Sequence, residues 1–145
     1  MLGPTFNTLK IMNHTYLINA IESIATADGY SFYTDSEERT SEQIKSYPAA
    51  WLLPPKFQQM EGRKHGKVTY DVTLHAMDAR AKLSSAERKH TRSRLEEELI
   101  EIFSKLSDTE RVIAVEKLKI QHSSLSLTTH GEVAATATAD VVTFF

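Results

Sequence analysis

Residues 84–106 read Ser84-Ser85-Ala86-Glu87-Arg88-Lys89-His90-Thr91-Arg92-Ser93-Arg94-Leu95-Glu96-Glu97-Glu98-Leu99-Ile100-Glu101-Ile102-Phe103-Ser104-Lys105-Leu106. The opening Ser84-x-x-Glu87 is a capping box, in which a serine oxygen and a glutamate each satisfy an orphan backbone N–H. Behind it Leu95, Leu99, Ile102, Phe103 and Leu106 recur at three- and four-residue steps and share one helical face. Only this distal half is strongly apolar, so its last three turns or so are expected to lie on a core. Arg88, Lys89, Arg92 and Arg94 make the proximal half basic, and Glu96, Glu97, Glu98 and Glu101 follow. That order opposes the helix dipole, at a cost on the order of 0.3–1 kcal/mol per exposed charge. A solvated face with internal i,i+4 relief is one reading. The sharper one is a helix with a basic and an acidic end, able to meet copies of itself head to tail.

The rest of the chain supplies strands around this helix. Val68, Tyr70, Val72, Leu74 and Ala76 alternate with Thr69, Asp71, Thr73, His75 and Met77, giving a strand over 68–77 with one apolar and one mixed face. His75 and Asp78 are expected at the surface and on opposite sides, unsuited to a shared metal. Upstream, Asn13 or Thr15 caps a helix lined by Leu17, Ile21 and Ile24, which Asp28-Gly29 stops. Tyr30–Tyr33 is a short aromatic strand, and the polar stretch 34–46 is a surface loop without the spacing of a calcium site. Pro48-Ala49-Ala50-Trp51-Leu52-Leu53-Pro54-Pro55 is a short strand closed by prolines, a pattern that favours a sheet edge or a subunit boundary. Trp51 is a core anchor or an interface hot spot.

Residues 56–67 connect two strands with Lys56, Arg63, Lys64, His65 and Lys67, and part of this loop can extend as a projecting β-arm that binds an acidic partner. Downstream of the long helix, Val112, Ala114, Leu118 and Ile120 keep one parity. Val133 to Val141 places small residues on one face of a last strand, a surface that a helix can approach closely. The chain closes on Phe144-Phe145, aromatic residues that must pack in their own core or on a neighbour. The whole is an α+β domain over 13–145, a mostly antiparallel sheet against two helices in the order α-β-β-β-α-β-β, preceded by an N-terminal arm over 1–12.

Composition limits the chemistry. The chain has 145 residues, 41% of them apolar and 25% charged, enough for a single substantial core. A net charge of −2 argues against tight sequence-independent binding to nucleic acid. With no cysteine there is no disulfide or thiolate chemistry. No apolar run reaches the length of a membrane span. No serine sits in G-x-S-x-G, the six histidines form no H-x-x-x-H, and glycine-rich phosphate fingerprints are missing. No catalytic residue, metal ligand or cofactor is expected.

The order built from Asn13–Ala27, Val68–Met77, Ser84–Leu106, Val112–Gln121 and Val133–Phe145 resembles the tail terminator and head-to-tail connector proteins of tailed bacteriophages. The resemblance is architectural and carries no signature motif. It implies a virion protein, assembled in the host bacterial cytoplasm, that forms a ring at the head–tail junction. Its partners would be copies of itself and other tail or neck proteins, with at most transient contact to channel DNA. Surfaces expected at such an interface are Trp51, the basic Arg88, Lys89, Arg92 and Arg94, the acidic Glu97, Glu98 and Glu101, and Phe144-Phe145. Two other classes compete with it. One is a small-ligand or catalytic α+β domain whose pocket is lined by Tyr30, Phe32, Trp51 and Tyr70. The other is an adaptor acting through the loop 56–67.

Overall fold

A computed structural model describes residues 12–35, 43–79, 84–122 and 132–145. The N-terminal arm therefore lies, except for Met12, outside the described residues, as do most of the loop 34–46 and of the turn after His122. Two helices, α1 (Asn13–Ala27) and α2 (Ser85–Ser107), pack on one face of a six-stranded sheet. The strands are β1 (Ser31–Thr34), β2 (Ala49–Leu52), β3 (Lys56–Gly62), β4 (Gly66–Asp78), β5 (Val112–His122) and β6 (Val133–Phe144). The class is the expected α+β, with one strand more than the sequence order contained, because the first half of the 56–67 connection is β3.

The capping box forms as its spacing requires. Ser84 Oγ accepts from the Glu87 N–H at 3.2 Å, and Glu87 Oε1 accepts from the Ser84 N–H at 3.3 Å. Leu95, Leu99, Ile102, Phe103 and Leu106 are fully or almost fully buried, joined one turn earlier by Thr91. They meet Ala135, Ala137 and Ala139 of β6, whose small side chains let the helix lie close to the sheet. The start of α1 differs from expectation. Met12 occupies the cap position without a side-chain bond, and Asn13 lies inside the helix. Its amide instead donates to Thr143 Oγ1 at 3.2 Å and to the Phe144 carbonyl at 3.0 Å, tying the helix to the last strand. Gly29, with φ +92, ends the helix as expected.

Strand β4 is the spine. It pairs antiparallel with β6 along its whole length, and its other edge is shared: β2 takes Leu74–Met77, and β3 takes Gly66–Asp71. Beyond β2 lies β1, parallel to it; beyond β6 lies β5. Strand β2 is therefore an interior strand, not the edge its prolines suggested. All four paired residues avoid proline, and Pro54-Pro55 falls in the break between β2 and β3, where a missing N–H costs no ladder bond. The β3–β4 hairpin closes on Arg63-Lys64-His65 between Gly62 and Gly66. Gly62 has φ +107, and a Cβ there would stand 2.5 Å from the His65 carbonyl oxygen, so only glycine fits.

Parity along β4 separates two clusters. Val68, Tyr70, Val72, Leu74 and Ala76 face the helices in the main core; Met77 faces away, with Trp51, Ala49, Ala134 and Ile44 in a smaller cluster. Strand β5 does not keep one parity. Bulges at Val112/Ala114 and Glu116/Lys119, with Lys117 at φ +55, switch faces. Val115, Leu118 and Ile120 consequently pack toward the helices, while Ala114, Glu116 and Lys119 lie opposite outward-facing residues of β6.

Replacing Leu99 with alanine leaves a void under α2, where collapse is blocked by β6, and should cost about 2–5 kcal/mol. Leu99→Met, close in volume, should cost less than about 1.5 kcal/mol. Urea denaturation of both variants checks the difference.

Candidate functional site

The residues singled out by sequence separate into an internal network, an outward sheet face and two sheet edges. Arg94 and Glu98 belong to the first. Arg94 bridges Asp78, whose side chain is 9% exposed, and Glu98, at 2.9 Å. The Tyr30 hydroxyl donates to the same Glu98 carboxylate at 2.8 Å. Burial first, then the hydrogen bond and charge of Glu98, push that hydroxyl above its ordinary pKa and keep it a donor. Arg94 and Glu98, expected to face a neighbouring copy, form within the chain a tie between α2, the end of β4 and the residue preceding β1. Removing the cation with Arg94→Ala should cost about 1–3 kcal/mol, a buried-pair penalty discounted for partial exposure. Arg94→Lys should restore part of it in the same thermal melt.

The mid-helix charges relieve one another only in part. Lys105 bridges Glu101 at 3.1 Å and Asp28 at 3.0 Å, and His122 lies 3.1 Å from Glu96. For Arg88, Lys89, Arg92 and Glu97 no side-chain ion pair is formed among the described residues. Lys89 and Glu97 are fully on the solvent side, and Arg88 and Arg92 are half-buried.

His75 and Asp78 are both buried, against the expectation of surface positions. For His75 the smaller cluster is the reason, with Ile44 covering this end of the outward face; Asp78 lies on the helix side, against Arg94 of α2. The His75 ring lies 4.9 Å from that of Trp51, and its Nδ1 is 2.6 Å from Thr136 Oγ1. Trp51, 2% exposed, donates its indole N–H to the Asp35 carbonyl at 3.2 Å and is a core anchor. It faces the side of the sheet opposite Tyr30 and Tyr70, so Tyr30, Phe32, Trp51 and Tyr70 do not line one pocket.

Burial lowers the His75 pKa to about 4, because a cation there loses its hydration. The unfolded chain takes up this proton near pH 6.5, the folded chain only near 4. The resulting stability is complete above about pH 6.5 and is lost as pH falls toward 4. Between pH 7.5 and 5 the loss attributable to His75 should be about 2 kcal/mol. In His75→Gln the difference between denaturant midpoints at the two pH values should shrink accordingly.

Below the covered end, the outward face is polar. One row runs straight across four strands: Lys56, Asp71, Asp140 and Glu116. Gln58 Nε2 donates to Asp71 at 2.6 Å and to Asp140 at 3.0 Å, holding the two carboxylates side by side. Above this row lies a cleft of about 350 Å³, lined by Leu53, Pro54, Thr73, Lys117 and Lys119 among others. Among the described residues no group of three or more histidines and carboxylates is arranged to hold a metal.

The edges carry the exposed apolar surface. Strand β3 has no buried residue; a bulge between Phe57 and Gln59 puts Phe57 (62% exposed) and Met60 (55%) on the same side. The basic Arg63, Lys64 and His65 form the exposed tip of this arm, with Lys56 and Lys67 at the strand positions below. At the far edge Ile113 is 45% exposed, and Ile100 of α2 is 48% exposed. Phe144 and Phe145 lie at the hairpin end of the sheet, partly exposed, where Phe145 exchanges backbone hydrogen bonds with Gly66. Sequence reasoning missed Phe57 and Met60. The signal was two large apolar residues three apart in a stretch read as a charged connection.

Compared with protein-family models and with curated proteins, the sequence matches none. No helix among the described residues is long and apolar enough to cross a membrane.

Proposed function

We propose that the protein is a structural subunit that closes into a ring, and that this ring is a tail terminator or connector at the head–tail junction of a tailed bacteriophage. The observation carrying the first part is the sheet's two open borders. Among the described residues, strand β3 at one side and β5 at the other pair on their inner edges only, and large apolar side chains stand exposed beside both. An unpaired strand edge is a template for another strand. Two different borders on one subunit make a heterologous contact, which generates a ring when the rotation closes. The phage assignment rests on the order of elements described from the sequence.

In this reading the chain works through surfaces it offers to its own copies and to other tail or neck proteins, in the virion. The arm tip at Arg63, Lys64 and His65 suits an acidic partner or a passing contact with channel phosphates. Arg88, Lys89 and Arg92 stay available for an adjacent copy, and Arg94 does not, because Asp78 and Glu98 engage it.

Light scattering or native mass spectrometry at working concentration tests the reading. Roughly six or twelve copies per particle are expected for closed cyclic symmetry. A monomer that turns over a substrate would end it. The paired reversal Lys89→Glu with Arg92→Glu should lower the assembled mass while leaving the circular dichroism spectrum unchanged.

A further inference from the structure

The two borders match each other residue by residue. Rows of the sheet can be followed across four antiparallel strands. Lys56 of β3 leads through Asp71 and Asp140 to Glu116 of β5; Phe57 leads through Tyr70 and Val141 to Val115. Met60 leads in the same way through Val68 and Thr143 to Val112. A second copy placed beside the first with no shift along the strands thus sets Lys56 against Glu116, Phe57 against Val115, and Met60 against Val112. The polar pair lies on the outward face and the apolar pairs on the helix side.

Direction and hydrogen bonding agree with this placement. The four strands β3, β4, β6 and β5 alternate in direction, so the neighbour's β5 runs antiparallel to β3. Antiparallel pairs alternate between close and wide spacing from one edge of a strand to the other. Four strands per copy bring that alternation back into phase at the seam. Bulges at Phe57/Gln59 and Val112/Ala114, and β1 outside β2, confine the contact to the hairpin half of the border.

Beside Val115 there is a place for the incoming ring. Ile100, Phe103, Ser104, Ser107, Val115 and Leu118 line a groove of about 210 Å³ between α2 and β5, open at the border. Within its own chain the Phe57 ring meets that of Tyr70 in a T-shaped arrangement, 6.3 Å between ring centroids, and remains exposed. We infer that Phe57 of one copy seats in the α2–β5 groove of a second copy, with Lys56 on Glu116, so that the sheet runs on from subunit to subunit. This deepens the ring reading and rests on it.

Cysteine pairs read the seam directly, since the chain has no cysteine of its own. Within one chain Lys56 and Glu116 are three strand spacings apart, roughly 14 Å, beyond disulfide reach. Across the proposed seam they are direct neighbours. Lys56→Cys combined with Glu116→Cys should give, on oxidation, a ladder of covalent multimers, whereas each single variant should stop at dimers. Phe57→Asp, a change at an exposed site, should weaken association on the order of tenfold or more with an unchanged melting temperature. Lys56→Glu should weaken it too, and adding Glu116→Lys should restore it. If the wild type assembles but the double cysteine variant gives no ladder and Phe57→Asp assembles normally, the seam is elsewhere and this inference falls while the ring stands. If the wild type is monomeric at working concentration, the ring reading fails, and this inference with it.

Discussion

The strict two-residue alternation of β4, sustained over 13 residues, is the constraint on which the rest of the molecule depends. One parity commits five side chains to the core under α1 and α2. The other parity cannot be uniform, because half of its length is covered and half is open. Met77 and His75 sit under the segment around Ile44, where even a histidine is stripped of water. Farther along, Asp71 stands in the open and shares Gln58 with Asp140. A slip of one residue would exchange these sets and put Asp71 in the core.

Helix α2 is organised by the same division. Its distal half is held by burial against the alanines of β6, and its proximal half by charge. The Arg94–Asp78–Glu98–Tyr30 network lies where the two halves meet. The reversed order of basic and acidic residues is thereby part of the fold at one turn and left open to solvent at the others. Arg94 points to Asp78 across the element boundary, while Lys89 has no such partner among the described residues.

Fold class, the capped helix, both faces of β4 and the small-residue face of β6 were legible from the sequence, because each follows from periodicity or a local cap. What escaped depends on distant groups. Nothing near Asn13 in sequence indicates that its amide is taken by Thr143 and Phe144. Nothing near His75 announces the cover that buries it. The prolines flanking β2 point to an edge but mark only where pairing stops, and β2 pairs on both sides. The border residues Phe57 and Met60 were hidden by the charged residues around them, and the parity of β5 by its bulges. Of the interface residues expected from sequence, the structure leaves Lys89 and Glu97 exposed and Arg88 and Arg92 half-buried, places Trp51 inside, and engages Arg94 and Glu98 within the chain.

Pro54-Pro55 has a further effect. By interrupting the strand that would otherwise run from Ala49 to Gly62, it divides the molecule into a body, where β2 is buried on both faces, and an arm, where β3 is buried on neither. Side chains on the arm make few contacts that the body relies on. Selection can therefore redraw the arm's outer surface to fit a different companion with little penalty in folding, while the body keeps its packing unchanged. The double proline acts as a firebreak between what must stay constant and what is free to diversify.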